Sequence, residues 1–454
     1  MYKITLLLLI SANQLQAPNK DWQSLFDGKT LSGWEVRAGA AKFSVENGEI
    51  VGTAVEGSPN TFLVSTRRYM DDFELELEAM MEDSNSNSGV QFKSNFDGSA
   101  NGGRGKIFGY QFELDPSARR WSGGIYDEGR REWLYPGSLN AASQSAFRNG
   151  QYNKIRIVCQ GNTVRTWLND VAVSYVADTL IPNQGLIALQ VHSIGKPEQA
   201  GKKIFFRNIR IRTGGIRTPE FPKHIYVVNL QPNDLTPFEK KSGWKLLFDG
   251  KTIKGWKGAY QKDFPEKGWE VKDGILTVQR AEGREAMNGG DIVTDDKYSS
   301  FDLSFEFKLT PGANSGVKYF VTLSENNPGS AIGLEYQLLD DELHPDAKMG
   351  REGNRKLASL YDLIPAEKQS RFVRAPGQWN TGRIIVYPNS HVEHYLNGVK
   401  VLEYERGSEA YRQLVSISKY NVWEKFGEAK KGHILLQDHG NEVGFRSIKI
   451  RVFN

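Results

Sequence analysis

One stretch of this chain is written twice. Residues 22–34 read WQSLFDGKTLSGW and residues 244–256 read WKLLFDGKTIKGW. The offset of 222 residues is close to half of the 454-residue chain. It is far longer than a solenoid repeat and marks a duplicated domain, so whatever fold one half takes, the other must take as well. A chain of this length also exceeds what a single hydrophobic core serves, and two domains are expected.

The duplication continues in order along both halves. Residues 43–51 read as strand, turn, strand with Asn47-Gly48 at the turn, and residues 269–276 repeat this with Asp273-Gly274; both dipeptides favour the left-handed backbone of a tight hairpin. Residues 73–79 and 301–309 alternate strictly between apolar and polar, the period of an antiparallel strand with one buried and one solvated face. Asn-Ser-Gly-Val follows each, at 87–90 and 314–317, then Gly-Gln-aromatic-Asn at 150–153 and 377–380, and aromatic-Leu-Asn at 167–169 and 395–397. Helical periodicity is scarce, the best candidates being 407–419 and part of the segment after Leu363. The expected fold is all-β, two tandem jelly-roll β-sandwiches at 20–213 and 242–454. Residues 214–241 hold Pro219, Pro222, Pro232 and Pro237 and read as a linker, expected to be the most accessible backbone, although Ile225 to Val228 could lay one short strand against either half.

Charge excludes some classes of function. The 58 basic and 54 acidic residues are interspersed, and a net charge of +4 makes no electrostatic case for nucleic acid or an anionic membrane. Lys3 followed by the apolar run Ile4 to Ile10, with small residues at Ala12 and Ala17, reads as a signal peptide over residues 1–17, which predicts export to the periplasm or beyond. No later run approaches the ~20 apolar residues of a spanning helix, so membrane insertion is not expected. Cys159 is the only cysteine and sits in a strand pattern, so it reads as a buried, inert thiol. No strand–glycine–helix unit is present for a dinucleotide, and no nucleotide cofactor is expected. His391 and His394 are three apart on a strand pattern, which puts them on opposite faces and argues against a shared metal.

Three polar groupings recur in both halves. Gln111 and Glu113 share a strand face, as do Glu335 and Gln337, with the carboxylate and amide exchanged between copies. Tyr126-Asp127 matches Tyr361-Asp362, and Gln190 with His192 matches Gln437 with His439. A merely solvated strand face would need polar residues of any kind; here Glu, Gln, Tyr and His recur together, as a site for sugar hydroxyls would require. Lys318, directly after Asn-Ser-Gly-Val, joins this set in the second half, where a solvated surface lysine is the plainer alternative.

These motifs together resemble the 3-keto-disaccharide hydrolase domain family: Leu-Phe-Asp-Gly-Lys-Thr at 247–252, Asn-Ser-Gly-Val at 314–317, Glu-Tyr-Gln-Leu-Leu-Asp at 335–340, Ser-Leu-Tyr-Asp-Leu-Ile-Pro at 359–365, Gly-Gln-Trp-Asn at 377–380 and Leu-Gln-Asp-His-Gly at 436–440. The resemblance covers both halves and implies concanavalin A-like sandwiches, export from a bacterium, and cleavage of 3-keto-glycosides. A ketone at C3 acidifies the proton on C2; its loss gives an enolate that expels the C1 substituent, and water then adds. Such chemistry needs a base, an enolate stabiliser and an acid. What the resemblance implies is His439 as base, Glu335 as acid, or the two together as ligands of a divalent metal ion, Lys318 at the enolate, and Gln337, Tyr361, Asp362 and Gln437 on the sugar. The first-half counterparts are His192, Glu113, Gln111, Tyr126, Asp127 and Gln190. The 3-keto substrate would come from a separate sugar 3-oxidoreductase. A non-catalytic, lectin-like protein is the alternative, as is one catalytic and one binding half. The second half alone has an insertion at 403–432, with Tyr411, Tyr420, Trp423 and Phe426 available to close over a sugar, and it is the half expected to carry the chemistry.

Overall fold

The computed structural model describes residues 22–453 apart from 71, 83, 85, 217, 282–287 and 324–330; the predicted export signal lies outside the described residues. Each half is a jelly-roll sandwich of two sheets. Among the described strands every pairing is antiparallel except one, made by the linker. In the first half, β1 (Ser88–Asp97) lies between β2 (Lys106–Leu114) and β3 (Gln184–Val191); in the second, β4 (Asn314–Thr322) lies between β5 (Ile332–Leu339) and β6 (His433–Leu436). The second sheet of each half carries the alternating strands, Phe73–Met81 and Phe301–Leu309.

The repeated motifs fold by repeated local bonds. Asp27 accepts from the backbone N–H groups of Lys29 (2.8 Å) and Thr30 (2.7 Å), and Trp34 Nε1 donates to the Leu25 carbonyl at 2.8 Å, closing the opening loop. Asp249, Lys251, Thr252, Trp256 and Leu247 repeat every contact, the indole bond being 2.6 Å. Asn47 and Asp273 have φ of 50° and 51°, as the hairpin reading requires, and each is followed by a glycine of positive φ. Asn153 and Asn380 accept from the N–H of Arg148 and Arg374 and donate back to the same residues' carbonyls, so the Gly-Gln-aromatic-Asn motif is a loop clasp.

Two expectations need correction. The polar faces of the alternating strands are not solvated. Glu74 is fully buried and paired with Arg212 (Nε–Oε2 2.7 Å) and Arg156, while Asp302 is fully buried under Arg383 (2.7 Å) and Arg451 (3.0 Å). Period-two alternation reports which side chains share a face, not what covers that face. Nor is the linker exposed. Phe221 packs on Trp167 and Tyr175 at ring distances of 5.4 and 5.5 Å, and Val228–Asn229 pairs parallel with Val171–Ala177. The linker helix α1 (Pro237–Lys241) is held by a reciprocal cap between Thr236 and Glu239, and Glu239 pairs with Lys449 of the second half at 2.6 Å. Tyr226 bridges the halves, its carbonyl accepting from Tyr135 (3.1 Å) and its hydroxyl bonded to Ser304 (2.8 Å). The prolines stiffen a segment whose aromatic residues are the packing between two sandwiches. Cys159 is buried, and burial pushes its thiol well above the usual range, as an inert core residue requires.

Candidate active site

In the second half, β4, β5 and the turn after β6 bring Lys318, Glu335, Gln337, Gln437 and His439 to one wall of a pocket of about 470 Å³. The register explains their convergence: Lys318 lies opposite Glu335 and Gly316 opposite Gln337 across the β4–β5 pair. Glu335 lies flat over Gly316, where a Cβ would fall 2.2 Å from its Oε1, so the glycine of Asn-Ser-Gly-Val makes room for the carboxylate. In the orientation that satisfies its surroundings, the Gln337 amide nitrogen donates to Glu335 Oε1 (3.2 Å) and to the Ser315 carbonyl (3.1 Å). Gln437 is nearly fully buried, and its Oε1 finds no hydrogen-bond partner among the described residues, a feature its first-half counterpart Gln190 shares at both amide atoms.

The expected insertion, together with Lys419, His344 and Asp346, which sequence reasoning missed, completes the pocket. The insertion forms helix α2 (Glu409–Ser416), capped by Ser408, and then a single turn that sets Lys419, Tyr420 and Trp423 over the opening. Tyr411 and Phe426, also in the insertion, are buried beneath: the Tyr411 hydroxyl donates to the Phe426 carbonyl at 2.7 Å, and Tyr420 stacks on Phe426 at 3.9 Å. Lys419 is exposed along its length, but its ammonium turns in over the Tyr361 ring at 4.2 Å. His344 stands edge-on to His439, ring centres 6.1 Å apart, and its Nδ1 accepts from the Asp346 N–H at 3.2 Å. The Tyr361 hydroxyl donates to Asp346 at 2.8 Å. Asp362 does not line the pocket. It accepts from Arg355 Nε (2.7 Å) and from the backbone N–H of Lys419 (2.8 Å), so it holds the turn that carries the lysine.

The electrostatics of this pocket are those of an acid–base site. Burial raises the Glu335 carboxyl above its ordinary value against the pull of Lys318 and Lys419. Burial lowers the Lys419 ammonium, with Glu335 opposing, and burial with the neighbouring His439 lowers His344. A metal fits less well. Among the described residues Glu335 and His439 belong to no group of three ligating side chains whose donor atoms lie within 4.8 Å of one another, although Asp291 and His344 line the same pocket, and two lysines flank the carboxylate. The group whose donor atoms do converge within 4.8 Å is His391, Glu393 and Glu403 on the other sheet, where the Lys400 ammonium already bridges Glu393 (3.3 Å) and Glu403 (2.5 Å). His394 faces the opposite way, buried against the Tyr319 hydroxyl at 2.8 Å, as the strand spacing requires.

The first half turns the same positions inward upon themselves. The β1–β2 register places Gln91 opposite Gln111 and Gly89 opposite Glu113, so Gln91 stands where the second half has Lys318. A chain of bonds runs from Ser94 Oγ to Gln91 (2.6 Å), Gln91 to Gln111 (2.7 Å) and Gln111 to Glu113 (2.8 Å), and Asn87 also donates to Glu113 at 2.8 Å. Gln190 is fully buried, Asp127 is locked between Arg130 and Arg131, and the Tyr126 ring packs edge-on against Trp133 at 5.3 Å. His192 is half-exposed and spends Nδ1 on the Ser193 carbonyl at 2.7 Å.

The 3-keto-alpha-glucoside-1,2-lyase-like domain profile matches residues 21–212 and again 243–451. A Bacteroides thetaiotaomicron protein named 3-keto-disaccharide hydrolase is 36% identical over 233 residues, spanning 47% of this chain and 79% of that protein. A Parabacteroides distasonis structure provisionally classed as a glycosyl hydrolase is 31% identical, covering 49% of this chain and all of that one with a TM-score of 0.43. A second from the same organism is 28% identical over 46% of this chain and 99% of that one, with a TM-score of 0.35. The chain is an enzyme of the 3-keto-alpha-glucoside-1,2-lyase-like domain family and carries that domain twice.

Proposed function

We propose that the second half cleaves the glycosidic bond of 3-keto-disaccharides by elimination and hydration. His439 takes the C2 proton, and the electron pair of that bond moves into the C2–C3 bond as the ketone oxygen becomes an enolate. Lys419 and Lys318 face that oxygen with positive charge in a pocket roofed by aromatics, where such charge stabilises most. Collapse of the enolate breaks the C1–O bond. Protonated Glu335 gives its proton to the departing oxygen; water then adds to the enone, its hydroxyl to C1 as Glu335 takes its proton and His439 returns a proton to C2, to yield a 3-keto sugar with a free anomeric hydroxyl. Gln337 and Gln437 hold hydroxyls, and Asp362 positions Lys419 rather than touching sugar. The single observation that carries this reading is geometric: a buried carboxyl set beside a histidine and two lysines in one pocket. No step is routed through a metal ion. Export through residues 1–17 and supply of the ketone by a separate sugar 3-oxidoreductase complete the proposal.

The test is release of reducing sugar from a 3-keto-disaccharide, with the parent disaccharide as control and no added nicotinamide. Turnover of the 3-keto form alone is expected, with Lys419→Met lowering kcat by roughly the 10²–10³-fold typical of a lost oxyanion donor. Equal turnover of both sugars would refute the mechanism, and full activity in Lys419→Met would remove the lysine from it.

A further inference from the structure

A second cavity, of about 450 Å³, lies in the seam between the halves and shares no lining residue with the catalytic pocket. Trp133 of the first half and Trp379 and Tyr395 of the second line it, the Trp379 ring carrying the Arg446 guanidinium at 4.0 Å, and the exposed Gln378 amide has no protein partner among the described residues. Most charges on its lining are neutralised from behind. Arg130 and Arg131 pair with Asp127, and Arg131 also with Asp178 (2.7 Å); Arg383 pairs with Asp302 (2.7 Å), Lys449 with Glu239 (2.6 Å), and Glu306 with Arg446 (2.9 Å).

Arg374 is the exception. Among the described residues its guanidinium makes one hydrogen bond, Nη2 to the Arg131 carbonyl across the seam at 3.1 Å, and no carboxylate lies within ion-pair distance. A half-buried guanidinium with Nε and Nη1 unspent and no carboxylate beside it keeps donors and a full positive charge for an anion. The cavity is several times larger than a bare anion needs and falls within the range of small-ligand sites, with aromatic walls and a few polar groups. We propose that the seam cavity binds a monoanionic sugar, a carboxylated pyranose of the hexuronate class, with its carboxylate on Arg374 and its ring against the aromatic wall. Because Arg374 already reaches across to the first half, such a ligand would sit on the joint between the sandwiches. Nothing in this site depends on the chemistry of the catalytic pocket.

The test is calorimetric titration of sodium glucuronate into the full chain at low salt, with glucose as the neutral control. Glucuronate is expected to bind the wild type and His439→Ala alike, glucose at least about tenfold more weakly, and Arg374→Met is expected to weaken glucuronate by about tenfold or more. Absence of binding in the wild type overturns the proposal, as does an unchanged Kd in Arg374→Met, equal binding of glucose, or loss of binding in His439→Ala. If Arg374→Met fails to fold, the exposed Gln378→Ala serves instead. A severalfold weaker Kd there supports the site and an unchanged one counts against it.

Discussion

Gly316→Ala turns the closest contact in the catalytic pocket into a measurement. An added Cβ would sit 2.2 Å from Glu335 Oε1 and 2.9 Å from its Cδ, whereas real Cβ contacts do not fall below 3.0 Å, so the carboxylate must retreat by most of an ångström. Gly89 is the internal control. Its Cβ would meet Gln111 at 2.4 Å, the same crowding in the same place on the other sandwich. Overpacking of this kind costs ~1–3 kcal/mol in either half, and for domains of this size each kcal/mol lowers Tm by about 2–4 °C. The two variants should therefore melt at similar, reduced temperatures. Their activities should part. Moving the proposed acid by ~1 Å costs about 10²-fold in kcat, while moving Gln111 costs turnover nothing beyond any loss of folded protein. The assay is reducing-sugar release from a 3-keto-disaccharide, measured well below both melting points. Full turnover in Gly316→Ala with a shifted melt would refute the role given to Glu335, and an equal loss in Gly89→Ala would make the first half a partner in the chemistry.

Three further outcomes are expected. His439→Ala should lower kcat by roughly 10²–10⁴-fold, the range for a lost general base, whereas His192→Ala should leave it within about threefold; the reverse order would move the active site to the first half. Burial raises the Glu335 carboxyl above its ordinary 4.5, so its contribution to stability is fully present below that value and is lost as pH rises through the folded-state value. Glu335→Gln should accordingly melt higher than the wild type at pH 7, with the gap closing towards pH 4, and a lower melt at pH 7 would contradict it. Limited proteolysis should not yield two fragments of half mass, because Phe221, Ile225, Tyr226 and Val227 are buried; prompt cleavage between residues 214 and 241 would contradict the packing of the seam.

Much of the fold was legible because the duplicated motifs are local devices. The Asp27 and Asp249 turns, the left-handed Asn47 and Asp273 and the Asn153 and Asn380 clasps are each fixed by residues a few positions apart, so their reappearance announces the same backbone twice. Helix α2 was legible from its period, and the structure adds the Ser408 cap at its start. Part of the site was legible too, because strand alternation alone aligns Glu335 with Gln337. His344 and Lys419 were not, since they reach the pocket from loops whose path depends on long-range contacts such as Asp362 to the Lys419 N–H. Tyr361-Asp362 shows the limit of motif reading: two neighbours repeated as a pair serve different ends, one on the pocket wall and one beneath it. The linker misled because four prolines signal a stiff segment whether it lies in solvent or between two walls.

The asymmetry between the halves follows from a two-residue exchange along one strand. A carboxylate moved two positions along a strand is displaced by about 6.6 Å on the same face, far beyond the tolerance of a proton transfer. At position 335 it lies opposite Lys318 and under the Lys419 roof, so burial and two cations contend over its proton. At position 113 it lies opposite Gly89, where Asn87 and Gln111 donate to it, and the upstream amides Gln91 and Gln111 satisfy one another. A hydrogen-bonded chain of that kind rigidifies a sheet face and gives up its acceptors to do so. Under the proposed mechanism the exchange is one of three differences that set the first half apart. With Gln91 in place of the lysine and no counterpart to residues 403–432, a carboxylate restored at position 111 would still face neither a cation nor a roof to exclude water. The first copy keeps the fold because its repeated turns and clasps are structural bonds, whereas the lysine at 318 and the insertion at 403–432, on which the proposed mechanism draws, lie outside them.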